Sequence, residues 1–368
     1  MRQGEARQGS STTTIPLCEP YIVGREAEYV AEALAAGEVG AGPFVTRFED
    51  SVRAYTGARY AVATSSGTAA LHVALLLAGV RPGDDVIVPA TTFIATARAV
   101  QMCGATPVIV DVEPWGWGLG AQKLLGFLEK SRPRAIISVH LYGHPVSADV
   151  GDIAYDRDIG VVEDAAESLG AVAHGERVGS RGLACLSFNA NKLITTGGGG
   201  MILTDDIGKE AMARYLIGHA RCPADYSIYE AVGWNYRMPN VNAAIGLAQM
   251  ETIEQRLASK RETHDHYAAE LPGVFHEQLW ARSSYWLTTM LLPDALTKQR
   301  VMAALAERGI ESRSVWRPLH RQPGLGGCPT YLTGVADDLY ARGLCLPSGC
   351  GISAKEREQV IASVKGCL

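Results

Sequence analysis

One stretch constrains this sequence more than any other: residues 184–206, ACLSFNANKLITTGGGGMILTDD. An apolar run at residues 184–188 leads to a single lysine, Lys192, and four consecutive glycines precede a second apolar run at residues 201–204. Two short buried strands around a glycine-rich turn would place Lys192 at the end of a sheet, where its amine is poorly hydrated. Such burial disfavours the ammonium form and makes a lysine a nucleophile for a carbonyl group.

Other interpretations of this stretch exist. A lysine beside a glycine-rich turn is most often a solvated loop residue. A phosphate-binding P-loop requires the order GxxxxGK[ST], with the lysine after the glycines. In this chain Lys192 precedes the glycines, so we reject the P-loop.

A second stretch, GVVEDAAESLG at residues 160–170, favours the interpretation of Lys192 as a nucleophile. Its short apolar run ends at Asp164, which therefore also lies at the carboxyl end of a predicted strand, the edge where open α/β sheets bind ligands. Pyridoxal 5′-phosphate (PLP) requires a lysine that holds its aldehyde and an aspartate that pairs with its pyridinium nitrogen. Lys192 and Asp164 are the candidates for these two roles.

Six motifs extend this pattern over residues 15 to about 360. They are SSGTAALH (65–72), PATTFIATA (89–97), VHLYGHP (139–145), VVEDAAESLGA (161–171), SFNANKLITTGGGGMILTDD (187–206) and GWNYRMPNVNAAIGLAQME (233–251). In these motifs and their order the chain resembles the PLP-dependent sugar aminotransferases of the DegT/DnrJ/EryC/StrS family. Three segments, SFNANKLITTGGGG, SSYWLTTMLLP and WRPLHRQP, are most similar to the branch that aminates nucleotide-linked 4-keto-6-deoxy-N-acetylhexosamines.

Short apolar runs separated by helical stretches predict an α/β fold with a mostly parallel, seven-stranded sheet and helices on both faces. The predicted strands are residues 60–64, 85–88, 107–111, 135–139, 161–163, 185–188 and 201–204. The resemblance implies the PLP-dependent transferase (type I aminotransferase) fold. A chain of 368 residues exceeds the usual single domain. We expect a disordered lead (1–14), a large PLP-binding domain (15–250) and a small C-terminal α/β domain (251–368).

The helix predicted to begin at Gly67 and Thr68 offers backbone amides to an anion. The simpler interpretation is an ordinary Ser/Thr cap of a helix. The resemblance implies that this helix start binds the cofactor phosphate together with Ser187. It also implies that Lys192 and Asp164 are catalytic.

Three further cofactor contacts follow from the resemblance. Phe93 would stack on the cofactor ring, although an isolated phenylalanine is more often a core residue. Glu167, three residues after Asp164, stands where many relatives have a glutamine that bonds near the phenolic oxygen of the cofactor, so it departs from the common pattern. Asn235 would reach the cofactor phosphate of a second subunit, which implies a homodimer with shared active sites.

The sugar nucleotide would contact side chains of two later segments. The candidates are Arg237, Arg313, Trp316, Arg317 and His320. His320 can equally be a loop histidine whose hydrogen bonds are satisfied within the protein. Trp115 and Trp117 lie in a predicted surface loop, and we give them no role.

Composition restricts the partners. A formal net charge of −5, without a basic run, argues against nucleic acid as a partner. The eight cysteines lack metal-binding spacing, so we predict reduced thiols and no metal site. With 47% hydrophobic and 20% charged residues, no signal-peptide pattern and no run of membrane-spanning length, the sequence is typical of a cytoplasmic enzyme.

The resemblance implies a two-stage transamination. An amino-acid donor, expected to be L-glutamate, would convert PLP into pyridoxamine 5′-phosphate, which would then aminate a nucleotide-linked keto-6-deoxy sugar, expected at C4. Lys192 argues against the related dehydratases, in which a histidine replaces the lysine. A cyclitol or other keto substrate, or a non-enzymatic PLP-binding regulator, stays open. The nucleotide, the sugar and the donor cannot be read from the sequence.

Overall fold

The computed structural model describes residues 14–114, 116–275 and 278–368. Residues 1–13 of the predicted lead and Trp115 lie outside these ranges. The helices are α1 (Glu26–Ala35), α2 (Pro43–Thr56), α3 (Gly67–Leu77), α4 (Ile94–Met102), α5 (Ala121–Leu128), α6 (Asp149–Tyr155), α7 (Ile207–Ile217), α8 (Asn240–Met250), α9 (Ile253–Glu270), α10 (Ala295–Glu307), α11 (Val335–Arg342) and α12 (Ala354–Lys365). The strands are β1 (Tyr60–Thr64), β2 (Asp85–Pro89), β3 (Thr106–Val110), β4 (Ala135–Val139), β5 (Gly160–Asp164), β6 (Val172–Ala173), β7 (Glu176–Arg177), β8 (Leu183–Ser187), β9 (Gly200–Thr204), β10 (Ala281–Arg282), β11 (Thr288–Leu291), β12 (Arg313–Ser314), β13 (Thr330–Tyr331) and β14 (Gly343–Leu346).

The largest sheet has eight strands in the order β1-β9-β8-β5-β4-β2-β3-β13. Strands β2 to β5, β8 and β13 run parallel, whereas β9 pairs antiparallel with both β1 and β8. The mostly parallel sheet and its seven predicted strands are confirmed, but the predicted count is one too low. The eighth strand, β13, has only two residues, both exposed, and therefore carries no apolar run that would identify it in the sequence.

Helices cover both faces of this sheet, which explains why its central strands are largely apolar. All five residues of β4 are buried. Ile136 packs in an apolar cluster with Leu124 of α5 and Val150 of α6. The next residue, Ile137, points to the opposite face and packs in a cluster with α3 and α4. Alternate residues of one strand thus pack against different helices, as expected of a parallel sheet between two helical layers.

A second core lies in the C-terminal part of the chain. Strands β11, β14 and β12 form an antiparallel sheet, and residues of α9, α10 and α12 pack with it in one apolar cluster. Ile15 joins this cluster and pairs with Ile310, so the start of the described chain packs on its C-terminal part. The division at residue 250 stays a prediction. Among the described residues, no helix has the length and apolar character needed to cross a membrane.

Candidate active site

A cavity of about 470 Å³ opens where the carboxyl ends of β4, β5 and β8 meet the start of α3. Parallel strands bring their carboxyl ends to one edge, and residues far apart in the sequence therefore share this cavity. Most of the predicted site residues line it. They are Gly67, Thr68, Phe93, Asp164, Glu167, Ser187, Lys192, Arg313 and Trp316.

Lys192 lies in the turn after β8, and its side chain is only 13% exposed. Its Nζ atom is 3.3 Å from Oε1 of Glu167 and 3.7 Å from the centroid of the Trp286 ring. A carboxylate and an aromatic face both attract an ammonium group. Together they hold the amine inside the cavity, where a carbonyl group could reach it.

Asp164 is the last residue of β5, and it is 5% exposed. Burial raises the pKa of its carboxyl group, while a hydrogen bond from Thr96 and the charge of Lys192 act in the opposite direction. The Thr96 hydroxyl donates to Oδ2 at 2.8 Å, and the backbone N–H of Ala166 donates to Oδ1 at 3.3 Å. A buried carboxylate held from two sides is suited to pair with a cationic ring nitrogen.

Glu167 connects Lys192 to the aromatic side of the cavity. Besides its contact with Lys192, its Oε2 accepts a hydrogen bond of 2.7 Å from the backbone N–H of Tyr142. Burial raises the pKa of Glu167. The Tyr142 ring lies nearly parallel to the rings of Trp286 and Trp316, at centroid distances of 6.3 and 6.5 Å. Its hydroxyl accepts a hydrogen bond from the backbone N–H of Trp316 at 2.7 Å.

The start of α3 forms a cradle for an anion. Ser66 caps the helix by accepting from the backbone N–H of Ala69 at 3.1 Å. The first N–H groups of a helix have no partner within it, so those of Gly67 and Thr68 are available to a ligand. A Cβ atom on Gly67 would lie 2.8 Å from Cβ of Ser187, so glycine is what allows the Ser187 hydroxyl to approach the helix start.

These residues fit PLP. Lys192 offers an amine for the aldehyde, and Asp164 offers a carboxylate for the ring nitrogen. Ser187 and the start of α3, which approach closely because residue 67 is glycine, offer a cradle for the phosphate. The Phe93 side chain, which is 48% exposed, provides an aromatic face at the same cavity. An amine, a carboxylate and an anion site in one enclosed space match the three functional ends of this cofactor.

Four of the predicted site residues do not line the cavity. Asn235 pairs through its backbone with Gly218, and the side chain of Arg237 lies beside the same glycine. Arg317 is exposed. His320 contacts Asp337, with 3.1 Å between Nε2 and Oδ1.

Sequence reasoning missed three contributors to the site: Trp286, Thr92 and Thr96. Trp286 is the tryptophan of SSYWLTTMLLP, but no local pattern indicates that its ring faces Lys192. Thr92 and Thr96 belong to PATTFIATA, but Thr92 precedes α4, which begins at Ile94, so no helical spacing in the sequence indicates that their hydroxyls meet.

The fold and this site define a class, the PLP-dependent aminotransferases. The sequence profile of the DegT/DnrJ/EryC1/StrS aminotransferase family matches residues 20–365. The chain belongs to this family, which confirms the resemblance found in its motifs.

Similar proteins agree with this class. EpsN of Bacillus subtilis (strain 168), provisionally named a pyridoxal phosphate-dependent aminotransferase, is 38% identical over 94% of each chain. The GDP-perosamine synthase of Caulobacter vibrioides is 38% identical over 98% of this chain and 100% of its own. The solved structure of the sugar aminotransferase CalS13 from Micromonospora echinospora superposes with a TM-score of 0.87 at 27% identity, over 96% of this chain and 99% of that one. This chain is accordingly a PLP-dependent sugar aminotransferase.

Proposed function

We propose that the enzyme transfers an amino group from L-glutamate to the C4 keto carbon of a nucleotide-linked keto-6-deoxy sugar. The observation that carries the proposal is the single cavity in which Lys192, Asp164 and the anion cradle of α3 meet Arg313 and Trp316. The Caulobacter relative supports it, because its name gives GDP-perosamine, a nucleotide-linked amino sugar, as the product. A GDP-linked keto sugar is therefore a second candidate acceptor, beside the nucleotide-linked N-acetylhexosamines that the sequence motifs indicate.

Five residues of the cavity have defined tasks in this proposal. PLP, when bound, supplies the electron sink that stabilises charge on the α-carbon of the donor. Lys192 Nζ removes the proton from that α-carbon and delivers it at the C4′ position. The Asp164 carboxylate keeps the ring nitrogen protonated. Gly67, Thr68 and Ser187 bind the phosphate.

The C-terminal side of the cavity would bind the sugar nucleotide. The Trp316 ring lies 5.1 Å from the ring of Phe93, which is expected to stack on the cofactor, and the guanidinium carbon of Arg313 is 5.8 Å from the Trp316 ring. Aromatic faces suit a sugar or a base, and an arginine suits a diphosphate. We assign the acceptor to this side of the cavity.

We also propose a homodimer in which the loop around Asn235 completes the phosphate site of the partner subunit. Asn235 is exposed in this chain and does not line its cavity, so it is available for a contact with a partner subunit. Arg237 and the exposed Arg317 are candidates for contacts with the nucleotide. His320, which faces Asp337, is the weakest substrate candidate.

A visible absorption spectrum of the purified enzyme tests donor and acceptor separately. Glutamate should bleach the absorption of bound PLP, and a keto sugar should restore it. UDP-4-keto-6-deoxy-N-acetylglucosamine and GDP-4-keto-6-deoxymannose, added in parallel, distinguish the two acceptor classes. If only a cyclitol ketone restores the absorption, the acceptor is a cyclitol ketone and not a sugar nucleotide. The absence of bleaching by glutamate would contradict the proposed donor.

A further inference from the structure

Two buried threonine hydroxyls form a chain that ends on Asp164. The Oγ1 atoms of Thr92 and Thr96 are 2.9 Å apart, and Oγ1 of Thr96 is 2.8 Å from Oδ2 of Asp164. Thr92 is 2% exposed and Thr96 is fully buried. Thr92 lines the cavity, so the chain runs from the cavity surface to the back of the carboxylate.

The direction of this chain depends on the charge of Asp164. An ionised carboxylate only accepts hydrogen bonds, so Thr96 must donate to it and can in turn accept from Thr92. A protonated Asp164 could donate to Thr96 and would reverse both bonds. Hydrogen bonds to a charged group are stronger than those between neutral groups, so the arrangement favours the carboxylate form.

The neighbours of Asp164 act on it in both directions. Burial raises its pKa, and the Thr96 bond, Lys192 and His140 oppose this rise. Burial raises the pKa of Glu167 and of the Cys185 thiol, and the charge of Asp164 adds to both rises. Lys192 is already engaged by Glu167, and Nε2 of His140 is 3.3 Å from Glu163. Thr96 is the group of this set that donates a hydrogen bond directly to the Asp164 side chain from another element.

We propose that Thr96, supported by Thr92, is a positioning residue that holds Asp164 in its ionised form and in the orientation required by the ring nitrogen of PLP. This inference rests on the role of Asp164 in the proposed function. Valine can distinguish this role from simple space filling, because it has nearly the shape of threonine but lacks the hydroxyl.

The test compares Thr96→Val with Thr96→Ser in protein freed of cofactor and titrated with PLP. We expect Thr96→Val to weaken PLP binding about tenfold, the effect of losing one hydrogen bond to a charged group. Thr96→Ser keeps the hydroxyl and should stay within about twofold of the wild type. Thr92→Val should weaken binding less than Thr96→Val.

The pH dependence separates positioning from packing. Without the Thr96 bond Asp164 ionises at a higher pH, so the acidic limb of PLP binding and of the spectrum of the bound cofactor should move to higher pH in Thr96→Val and return in Thr96→Ser. A Thr96→Val protein that binds PLP with the wild-type pH profile overturns the inference, even if its melting temperature falls. Should Thr96→Val fail to fold, an unchanged profile in Thr92→Val overturns it. If the wild type itself bound no PLP, the proposed function would fail as well.

Discussion

The two sides of the active site are built in different ways. The floor, which we define as Gly67, Asp164, Ser187 and Lys192, lies at strand ends and a helix start of the large sheet. The wall, which we define as Trp286, Arg313 and Trp316, comes from the C-terminal part of the chain. Each floor residue lies close in sequence to a buried strand, whereas the wall depends on contacts across long stretches of sequence.

This difference assigns different tasks to the two sides. Backbone pairing of β4, β5 and β8 fixes the floor, and a rigid sheet edge is suited to hold reacting groups in place. The wall is held by the stacking of Trp286 and Trp316 beside Tyr142, whose φ of 55° is unusual for a residue with a large side chain. We infer that the floor carries the chemistry and the wall sets the substrate.

Glu167 joins the two sides. Its carboxylate contacts Lys192 of the floor through Oε1 and the backbone of Tyr142, next to the wall, through Oε2. A change in the wall can therefore reach the reacting amine through one side chain. The following predictions test how separate the two sides are.

The largest effect is expected from Lys192→Ala in the floor. It should lower turnover by about 10⁴, because the general acid–base group and the nucleophile are lost together. Steady-state kinetics with glutamate and a keto sugar measure the loss. The exposed Lys130, changed to alanine, is the matched control and should behave as the wild type. Turnover by Lys192→Ala within tenfold of the wild type would remove Lys192 from the chemistry.

Gly67→Ala tests the packing of the floor. Its Cβ atom would lie 2.8 Å from Cβ of Ser187, so the helix start or the strand has to shift. Overpacking of this kind costs about 1–3 kcal/mol, which corresponds to about five- to 160-fold weaker PLP binding if the full cost falls on the binding site. Equilibrium titration with PLP measures it.

The matched control for this substitution is Gly151→Ala in α6, where a Cβ atom meets open space. It should bind PLP as the wild type does. Equal PLP affinity in the Gly67 and Gly151 variants would show that the phosphate does not lie at the start of α3.

In the wall, Trp286→Leu should have a smaller effect. It removes the ring that faces the Lys192 ammonium at 3.7 Å. A cation–π contact is worth about 0.5–2 kcal/mol, so we expect the single-turnover rate with glutamate to fall about two- to thirtyfold. Trp286→Phe keeps an aromatic face and should retain most of the rate. Equal rates in the Leu and Phe variants would assign Trp286 to packing alone.

The smallest effect concerns stability at the joint between floor and wall. Burial raises the pKa of Glu167. A raised folded-state pKa gives stability that is fully present below the ordinary value and is lost as the pH rises through the folded-state value. Glu167→Gln is neutral at every pH. Its stability relative to the wild type should therefore increase as the pH rises from the ordinary glutamate pKa of 4.5 through the raised folded-state pKa.

Thermal unfolding of the cofactor-free protein across this pH range measures the difference. Glu129→Gln, at an exposed position, is the control and should follow the wild type throughout. Parallel pH curves for the Glu167 variant and the wild type would contradict the raised pKa.

The contrast between floor and wall also explains what the sequence could predict. Lys192 and Asp164 were recognised because each follows an apolar run that ends at the sheet edge, and hydrophobic patterns report this local order. The same patterns contain no information on ring stacking between Tyr142 and Trp286, which are separated by more than 140 residues. Strand β13 was missed for a similar reason, since its pairing with β3 joins distant segments through two exposed residues.

The chemical identity of the nucleophile is the central claim. Borohydride reduction of the PLP-loaded enzyme, followed by peptide mass spectrometry, locates the lysine that holds the cofactor. We predict a phosphopyridoxyl group on the peptide that contains Lys192. Modification of a different lysine, or of none, would contradict the assignment of Lys192 and of the floor built around it.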